Sequence, residues 1–384
     1  MRLLELRLHD FRNVEVARLE IGPRATVIVG PNGQGKTNLL EAAYFLATLR
    51  PLRASRPAEL VRFGAPGCRV EGRFAFGGSR RDFAVTIEDG ARQAWVDGKK
   101  VRDLEEYFGG VSVVAFTPDD LALVKGGPEG RRRALDRAVF NRFPGYLAES
   151  REYGRALRAR NRLLREEAAP RMIEAFDAPL ARLGARLTSR RLALVSELAP
   201  RFTEVLARLG QGELRGEIRY APKVAEGAEG EEAIAARLEE ELSRRLGRDR
   251  ERGFTSVGPH ADTLGIQLGG RPARLYASQG QQRAIVLALK IAEIENLRQS
   301  HGYQPLLLLD DVSSELDRTR NEQLMHHLAG MEGQVILTTT DPEVLGREAG
   351  SGAFFYSVRE GRFEAAAGPE RAAAGGAEDP PENP

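Results

Sequence analysis

The segment Gly30-Pro-Asn-Gly-Gln-Gly-Lys-Thr37 most constrains the fold of this 384-residue chain, because it fits the pattern G-x-x-x-x-G-K-[ST]. Glycines at these positions let backbone NH groups close around phosphate oxygens, and the following helix points its positive end at them. The apolar run ATVIV precedes the segment, and apolar residues at helical spacing follow it. The pattern therefore predicts a strand, a phosphate-binding loop and a helix.

Two side chains of this loop have predicted chemical roles. Lys36 is expected to reach the β- and γ-phosphates of a nucleotide, and Thr37 is expected to ligate Mg²⁺. Lysine is rare among the 57 basic residues of the chain, which makes Lys36 more informative than an ordinary surface charge. The residues predicted to hold the nucleotide here are Gly30, Pro31, Asn32, Gly33, Gln34, Gly35, Lys36, Thr37 and Asn38.

A second motif is acidic. Pro305-Leu-Leu-Leu-Leu-Asp310-Asp311 is an apolar strand that ends in two carboxylates. Beside a phosphate-binding loop, Asp310 is expected to hold Mg²⁺ together with Thr37 and water. Asp311 is expected to orient or deprotonate an attacking water. Taken alone, two aspartates after a strand are also a common helix cap, so the prediction depends on the loop at 30–37.

Between these motifs, Tyr276-Ala-Ser278-Gln-Gly-Gln-Gln-Arg283 precedes an apolar helix. A serine hydroxyl, free NH groups and the helix dipole together favour an anion, so Ser278 is a candidate phosphate contact. The alternative is that Ser278 simply caps the helix.

Composition excludes several classes of protein. With 42% hydrophobic residues and a net charge of +2, the chain lacks the composition of a disordered protein. Cys68 is the single cysteine, so neither an internal disulfide nor a cysteine-based zinc site is expected. No run approaches the ~18 apolar residues of a membrane helix, and the N-terminus lacks a secretory pattern. The sequence therefore predicts a cytoplasmic protein with no membrane partner.

Periodicity divides the chain into segments. Strand patterns occupy residues 1–29 and an antiparallel meander is expected at 69–98. Two helices of ~22 residues are expected at 146–164 and 176–198, and strands are expected to be absent between about 120 and 250. The predicted domains are a head formed by 1–120 and 251–364, a helical arm at 121–250 and a disordered tail at 365–384.

The order of the motifs resembles the ATPase heads of the ABC/SMC superfamily. The 242 residues from Lys36 to Ser278 are too many for a compact transport cassette and too few for the coiled coils of SMC proteins. Within that superfamily the chain resembles the RecF family of recombination-repair ATPases over residues 1 to about 364. The segments that carry the resemblance are FRN at 11–13, GPNGQGKTNLLEA at 30–42, TPDDLALVKGGPEGRRRALD at 117–136, GPHADTL at 258–264, YASQGQQR at 276–283 and LLLLDDVSSELD at 306–317.

The resemblance implies an α/β fold, an ABC-type P-loop ATPase head with an inserted α-helical arm. It implies ATP and Mg²⁺ as cofactors, weak ATP hydrolysis stimulated by DNA, and a homodimer that forms on ATP binding, in which the signature serine contacts the γ-phosphate held by the opposite subunit. RecR, RecO and RecA are the implied protein partners. The implied catalytic residues are Lys36, Ser278 and Asp311, and the implied additional nucleotide contacts are Arg12, Asn13, Ser278, Gln279, Gly280 and Gln281.

DNA, single-stranded or gapped, is the polyanion that the resemblance implies. Residues 131–201 contain 17 arginines and eight acidic residues, a net charge of +9 that suits phosphate binding without base readout. The open alternative is that these arginines lie on solvated helix faces. The candidate contacts are Arg131, Arg132 and Arg133 in this block, and Arg53 and Arg56 in the loop after the first helix.

The chain also departs from the family pattern. Ala261-Asp262-Thr263 stand where relatives usually carry Arg-Asp-Asp, and no glutamine between Gln34 and Gln93 offers a metal contact of the transporter kind. Thr340 or Asp341 replaces the usual switch histidine, while His260 is either a sensor or a packed side chain. Two other functions stay open: a DNA scaffold in which hydrolysis is only a timer, and a transport cassette.

Overall fold

The computed structural model divides the chain into two units, each with its own core. One unit comprises Met1–Asp119 and Leu297–Pro384, and the other comprises Asp120–Asn296. The residues that the structure describes are 1–53, 56–102, 107–108, 111–224, 227–228, 230–311, 333–340 and 352–366.

The described residues contain both strands and helices, as an α/β protein requires. In chain order the strands of the described residues are β1 (Arg2–Phe11), β2 (Val14–Glu20), β3 (Ala25–Val29), β4 (Gly67–Phe76), β5 (Ser79–Glu88), β6 (Ala91–Val96), β7 (Lys99–Lys100), β8 (Val113–Phe116), β9 (Gly216–Ala221), β10 (Thr263–Leu268), β11 (Arg271–Pro272), β12 (Leu306–Asp310), β13 (Val335–Thr339), β14 (Phe354–Arg359) and β15 (Arg362–Ala366). The helices are α1 (Lys36–Thr48), α2 (Ala122–Lys125), α3 (Pro128–Arg142), α4 (Tyr146–Arg165), α5 (Pro170–Glu174), α6 (Asp177–Leu209), α7 (Glu231–Arg244), α8 (Leu246–Arg252), α9 (Ala273–Tyr276) and α10 (Gln279–His301), with 3₁₀ turns at Pro57–Leu60 and Pro118–Leu121.

A mostly parallel sheet carries the phosphate-binding loop of the first unit. Its order is β15-β14-β3-β13-β12-β8, and only the β14–β15 hairpin is antiparallel. Every residue of β12 and β13 is buried, as expected for apolar strands covered on both faces. The sheet therefore delivers the carboxyl ends of β3, β12 and β13 to one edge, where the predicted site residues lie.

The second sheet of this unit is antiparallel, in the order β2-β1-β4-β5-β6-β7. Alternate side chains of β1 and β4 face the core, and Phe83 packs edge-on against Phe74 and Tyr107 with ring centroids 5.3 and 5.2 Å apart. Helix α1 contacts strands of both sheets and is buried along nearly its whole length. The three N-terminal strands and the meander predicted from alternation are confirmed.

The second unit is helical, but two predictions about it are wrong. Helix α4 has 20 residues, whereas α6 has 33 and continues to Leu209, through Pro200. Strands are not absent between 120 and 250, because β9 pairs with β10 and β10 pairs with β11. The alternating pattern of β9 is only six residues long, and its stability comes from pairing with a strand more than 40 residues away.

The pairing of β9 with β10 also shifts the predicted boundary between the arm and the second segment of the head. The head was expected to resume at residue 251, whereas the structure keeps residues 251–296 in the second unit and places the division within α10. The cause is that β9 and β10 share one small sheet, so their two segments cannot belong to different units. The predicted tail 365–384 lies outside the described residues from 367 onward, and its first two residues end β15.

Two buried arginines hold the helices of the second unit together. Arg160 is fully buried and donates to Asp177 at 2.8 Å, to Asp249 at 3.0 Å and to the Thr255 hydroxyl at 2.9 Å. Removing one partner of such a buried ion pair strongly destabilises the protein, because the charge that remains is buried and unpaired.

The second of these arginines is Arg191. It bridges Asp136 at 2.7 Å and the Tyr220 hydroxyl at 3.2 Å, so it joins α6 to α3 and to the small sheet.

Within the described part of the chain, no helix is long and apolar enough to cross a bilayer.

Candidate nucleotide-binding site

The loop between β3 and α1 has the backbone geometry that a phosphate-binding loop requires. Gly33 and Gly35 have φ angles of +81° and +113°, in the left-handed region that side chains disfavour. A Cβ at Gly35 would lie 2.9 Å from the Asn13 side-chain oxygen, so space as well as conformation demands glycine there. Gly35 is the N-cap of α1, whose first amide groups therefore face the loop.

The Lys36 ammonium lies inside this loop. Its Nζ donates hydrogen bonds to the carbonyl oxygen of Pro31 at 3.0 Å and to the side-chain oxygen of Asn32 at 3.2 Å, and also to the Gly30 carbonyl. Burial lowers the pKa of Lys36, while the negative charges of Asp311 and Asp310 oppose that shift. The cation is therefore held beside both carboxylates at the edge of the sheet.

Thr37 and Asp310 meet at the same edge, although 273 residues separate them. The Thr37 hydroxyl donates to Asp310 Oδ1 at 2.8 Å, and the Thr338 hydroxyl at the end of β13 donates to the same oxygen at 2.9 Å. The backbone NH of Asp311 donates to Thr338 Oγ1 at 3.0 Å. Thr338 thus fixes both aspartates, a role that the sequence interpretation missed.

These residues fit a magnesium ion that is completed by phosphate and water. Mg²⁺ sites of this type use one or two protein oxygens together with substrate phosphates. Thr37 Oγ1 and Asp310 Oδ1 supply such a pair. Among the described residues there is no cluster of three or more His, Cys, Asp or Glu side chains that could hold a metal by itself. Burial raises the pKa of Asp310, and the hydrogen bonds from Thr37 and Thr338 oppose this rise.

Two turns form hydrogen bonds with the phosphate-binding loop and the start of α1. Gln34 accepts hydrogen bonds from the Gly361 NH at 2.9 Å and from the Glu360 NH at 2.7 Å, both in the β14–β15 turn. Asn13, in the β1–β2 turn, donates to the Gln34 carbonyl at 3.2 Å and accepts from the Asn38 amide at 2.7 Å. Asn13, Gln34 and Asn38, all predicted nucleotide contacts, therefore form one connected group.

A buried carboxylate that the sequence interpretation missed lies behind this group. Glu41 of α1 is fully buried and accepts from the Arg12 guanidinium at 2.8 and 2.9 Å and from the Arg53 backbone NH at 3.0 Å. The Arg53 guanidinium also donates to the Asn38 side-chain oxygen at 3.0 Å. A glutamate in the otherwise apolar run NLLEAAYFLA was the available signal, because a buried acid requires a partner.

The loop after α1 therefore contacts the nucleotide site directly. Arg53 is tied to Glu41 and Asn38, and its side chain is 37% exposed. Arg56 is exposed and precedes the short turn Pro57–Leu60, whose Glu59 carbonyl accepts from Arg12 at 2.8 Å. Of the two predicted DNA contacts in this loop, Arg56 is thus the more accessible. The Arg53 guanidinium already contacts Asn38 and Glu41 of the nucleotide site.

In the second unit, Ser278 forms a capping box at the start of α10. Its NH donates to the Gln281 side-chain oxygen at 2.8 Å, and the Gln281 NH donates back to Ser278 Oγ at 3.3 Å. Ser278 and Gln279 are exposed, and Gly280 and Gln281 are half-buried. The structure therefore contains the helix cap that was the alternative interpretation of Ser278. Contact between Ser278 and phosphate in a dimer stays a prediction.

The three consecutive arginines predicted to contact DNA have different surroundings. Arg131 donates to the Gly126 carbonyl at 2.8 Å, Arg132 donates to the Asp262 carbonyl at 2.8 Å, and Arg133 forms an exposed pair with Glu129. More widely, arginines of the +9 block form ion pairs with acidic residues. These arginines are Arg133, Arg137, Arg142, Arg155, Arg160, Arg162, Arg186, Arg190 and Arg191.

Asp262 and His260, which lie beside the predicted departures from the family pattern, have hydrogen-bond partners within the second unit. Burial raises the pKa of Asp262, whose carboxyl group accepts from the Lys223 NH at 2.9 Å and from the Tyr220 hydroxyl at 2.7 Å. His260 is hydrogen-bonded to the Tyr153 hydroxyl and the Thr255 carbonyl, and burial lowers its pKa. It is thus a packed side chain. Thr340 is exposed after β13, and Asp341 lies outside the described residues.

Comparisons with known proteins agree with this geometry. A family model described as the RecF/RecN/SMC N terminal domain matches residues 2–358. The chain is 58% identical over 367 residues to the DNA replication and repair protein RecF of Myxococcus xanthus, covering 94% of this chain and 97% of that protein. It is 41% identical over 346 residues to the protein of the same name from Geobacter sulfurreducens, covering 90% of this chain and 94% of that protein.

Solved structures show the same similarity. A structure of the recombination mediator protein RecF-ATPrS in the RecFOR pathway matches with a TM-score of 0.87 and 30% identity, covering 95% of this chain and 98% of that chain. An SMC head bound to the C-winged helix domain of ScpA matches with a TM-score of 0.56 at 17% identity, covering 97% of this chain and 100% of that chain, which supports the fold alone.

Fold and loop together define an α/β protein with an ABC-type P-loop ATPase head. Within that class, the chain belongs to the RecF family of DNA replication and repair proteins.

Proposed function

We propose that this protein is an ATP-dependent DNA-binding protein of recombinational repair. ATP and Mg²⁺ bind at the loop of residues 30–37, a head-to-head homodimer closes on DNA that carries single-stranded gaps or junctions, and slow, DNA-stimulated hydrolysis opens it. Acting with RecO and RecR in the bacterial cytoplasm, it supports RecA loading. The name RecF shared by the relatives supports the repair role, and the similar solved structures of RecF-ATPrS and RecF-ATP support the nucleotide.

The observation that carries this proposal is the hydrogen bond between Thr37 Oγ1 and Asp310 Oδ1 at 2.8 Å. It joins the helix after the P-loop to the acidic end of β12, the pair that binds Mg²⁺ and phosphate in P-loop ATPases. Lys36 lies beside the same carboxylates, where it can neutralise phosphate charge. Asp311 follows directly, with its backbone NH fixed by Thr338, and is proposed to orient the attacking water.

The dimer is tested by sedimentation of the full chain with and without ATP and gapped DNA at two salt concentrations. A dimer that requires ATP, with DNA binding that weakens steeply as salt rises, is the expected result. Lys36→Met should abolish ATP binding and the dimer together. A protein that stays monomeric with ATP, Mg²⁺ and gapped DNA would refute the closed-dimer proposal.

The DNA contact is tested at the loop after α1. Arg56→Glu is the sharper variant, because Arg56 is exposed, whereas a glutamate at position 53 would face the buried Glu41 and damage the nucleotide site. We expect Arg56→Glu to remove DNA stimulation of the ATPase and to leave ATP affinity unchanged. Arg80→Glu, on the exposed face of β5, is the matched charge reversal. Equal stimulation in the two variants would exclude this loop.

A DNA scaffold in which hydrolysis is only a timer is the second candidate. Asp311→Asn should retain ATP binding and lose hydrolysis, so its repair phenotype separates an enzyme from a scaffold when compared with Lys36→Met. A scaffold keeps function in the former variant and loses it in the latter. A transport cassette predicts ATPase activity insensitive to DNA, and the family relationship disfavours it.

A further inference from the structure

Strand β13 ends between the two halves of the nucleotide site. In the sheet it lies between β3, which leads into the phosphate-binding loop, and β12, which ends at Asp310. The Thr339 carbonyl accepts from the NH of Gly30, the first residue of the loop, at 3.3 Å. One residue earlier, Thr338 pairs with Asp310 across the parallel ladder. The end of β13 therefore contacts both the loop and the acidic motif.

The partners of the Thr338 hydroxyl fix its hydrogen-bonding roles. An ionised carboxylate can only accept, so the hydroxyl donates to Asp310 Oδ1, at 2.9 Å. A backbone NH can only donate, so Thr338 Oγ1 accepts from the NH of Asp311, at 3.0 Å. Thr338 is 2% exposed. A single buried hydroxyl thus connects the two aspartates by a donor bond to one and an acceptor bond from the other.

Each of these two hydrogen bonds acts on a group whose position matters for the chemistry. The Thr37 and Thr338 hydroxyls both donate to Oδ1 of Asp310, which orients this buried carboxylate. Asp311 has a φ angle of +48°, in the left-handed region that residues with side chains rarely adopt. Such a conformation persists only where surrounding contacts hold it, and the hydrogen bond to Thr338 is one of them.

We propose that Thr338 is a positioning residue that couples Mg²⁺ binding to hydrolysis, by holding the metal ligand Asp310 and the water-orienting Asp311 in one fixed arrangement. This inference rests on the proposed function, in which Thr37 and Asp310 hold Mg²⁺. The donor bond keeps the Asp310 carboxylate directed toward Thr37, and the acceptor bond keeps Asp311 in its left-handed conformation. Loss of the hydroxyl should therefore weaken the metal site and slow hydrolysis, and it should leave the contacts between the loop and the phosphates intact.

The first test measures the ATP affinity of the full-length protein by equilibrium dialysis, in EDTA and in saturating Mg²⁺. The ratio of the two affinities gives the factor by which Mg²⁺ strengthens ATP binding. Thr338→Val removes the hydroxyl and keeps a side chain of similar shape. We expect it to lower this Mg²⁺ factor about tenfold, because a hydrogen bond to a charged group is lost. ATP affinity in EDTA should be unchanged.

The second readout is the hydrolysis rate at saturating ATP and Mg²⁺. Thr338→Val should lower kcat even when the site is filled, because the Asp311 NH loses this acceptor. Thr338→Ser keeps the hydroxyl and should restore both kcat and the Mg²⁺ factor to within about threefold of the wild-type values. This rescue separates the hydrogen bonds from the packing of the threonine methyl group.

Thr26→Val is the matched control. Thr26 lies near the start of β3 in the same sheet, is fully buried, and its hydroxyl oxygen accepts from the Gly22 NH at 2.8 Å. Its loss should lower the melting temperature, as Thr338→Val does, and should leave the Mg²⁺ factor unchanged. In an Asp310→Asn background, Thr338→Val should lower the Mg²⁺ factor no further, because both substitutions act on the same metal ligand.

The proposal is overturned if Thr338→Val keeps the wild-type Mg²⁺ factor, or if Thr338→Ser is as defective as Thr338→Val. It is also overturned if ATP affinity falls equally in EDTA and in Mg²⁺, since the loop itself would then have been damaged. Lys36→Met distinguishes these failures from failure of the proposed function. Normal ATP binding by Lys36→Met would refute the nucleotide site itself, whereas its loss, together with a normal Mg²⁺ factor in Thr338→Val, would refute the role of Thr338 alone.

Discussion

Replacing Glu41 tests whether the nucleotide site and the loop after α1 form one unit. The carboxylate is fully buried and holds the Arg12 guanidinium at 2.8 Å and the Arg53 backbone NH at 3.0 Å. Glu41→Ala removes both contacts and leaves the Arg12 guanidinium without its carboxylate, with the Glu59 carbonyl as its remaining acceptor. Breaking a buried ion pair in this way costs about 3–5 kcal/mol.

Glu41→Gln is the conservative variant. Its amide oxygen can still accept from the Arg53 NH, whereas its amide nitrogen faces Arg12. The Arg12 guanidinium thereby loses its carboxylate acceptor, and each hydrogen bond to a charged group is worth about 1.5–3 kcal/mol. With a urea m-value of ~2–3 kcal/mol per molar, Glu41→Ala should lower the unfolding midpoint by about 1–2 M, and Glu41→Gln by roughly half as much.

The assay pairs urea unfolding of the full chain with equilibrium ATP binding. Because Arg53 also donates to Asn38, and Asn38 to Asn13, we expect Glu41→Gln to weaken ATP binding about five- to tenfold. Glu88→Gln, at the exposed end of β5, is the matched control and should change stability by less than ~0.5 kcal/mol.

A double variant separates stability from coupling. Arg12→Met with Glu41→Leu replaces the ion pair by apolar side chains, which often restores stability. We expect most of the unfolding free energy to return while ATP affinity stays low, since Asn38 and Arg53 lose their anchor. If Glu41→Ala unfolds at the same urea concentration as the control, or if Glu41→Gln binds ATP normally, the reasoning about this network is refuted.

Three other substitutions test the geometry of each unit. Asp310→Asn should abolish ATP hydrolysis and raise stability at neutral pH. Because the pKa of Asp310 is raised in the folded protein, wild-type stability at this site should increase as pH falls through that pKa to the ordinary aspartate value, and urea unfolding of both proteins across pH should show that the variant lacks this increase. Gly361→Ala should weaken ATP binding, since its Cβ would lie 2.4 Å from a carbonyl oxygen of the β1–β2 turn, whereas Gly77→Ala, also at positive φ but in open space, should not. Arg160→Ala should lower the unfolding free energy by about 3–5 kcal/mol in urea titrations, whereas the exposed Arg162→Ala should change it little; equal losses would contradict the importance of the buried pair.

The nucleotide loop could be located from sequence because its physics is local. A backbone that closes around phosphate requires glycine at specific positions, and Gly35 shows why, since both its φ angle and the nearby Asn13 exclude a side chain. The meeting of Thr37 with Asp310 was also predictable. Thr37 lies in the segment that follows β3, and Asp310 is the last residue of β12. Because both strands are parallel, their carboxyl ends share one edge of the sheet.

Other parts of the site depend on packing that no short pattern contains. Glu41 finds its partners in a turn 29 residues earlier and in a loop 12 residues later, so only the tertiary fold pairs them. Likewise, β9 is a six-residue segment between helices and becomes a strand only because β10 pairs with it. That long-range pairing is also why the boundary expected at residue 251 is displaced to 296.

The hydrogen bonds from Asn13 through Asn38 and Arg53 to Glu41 have a consequence for coupling between ligands. If DNA binds the loop at residues 50–53 and 56–60 and thereby favours the arrangement that also holds ATP, the effect must be reciprocal: DNA raises ATP affinity by the same factor by which ATP raises DNA affinity. A ligand shifts this arrangement only through contacts that differ between two states. Glu41→Gln weakens the link without touching either ligand, so it should reduce both factors equally. An unchanged coupling factor in Glu41→Gln would show that the loop and the nucleotide site communicate by another route.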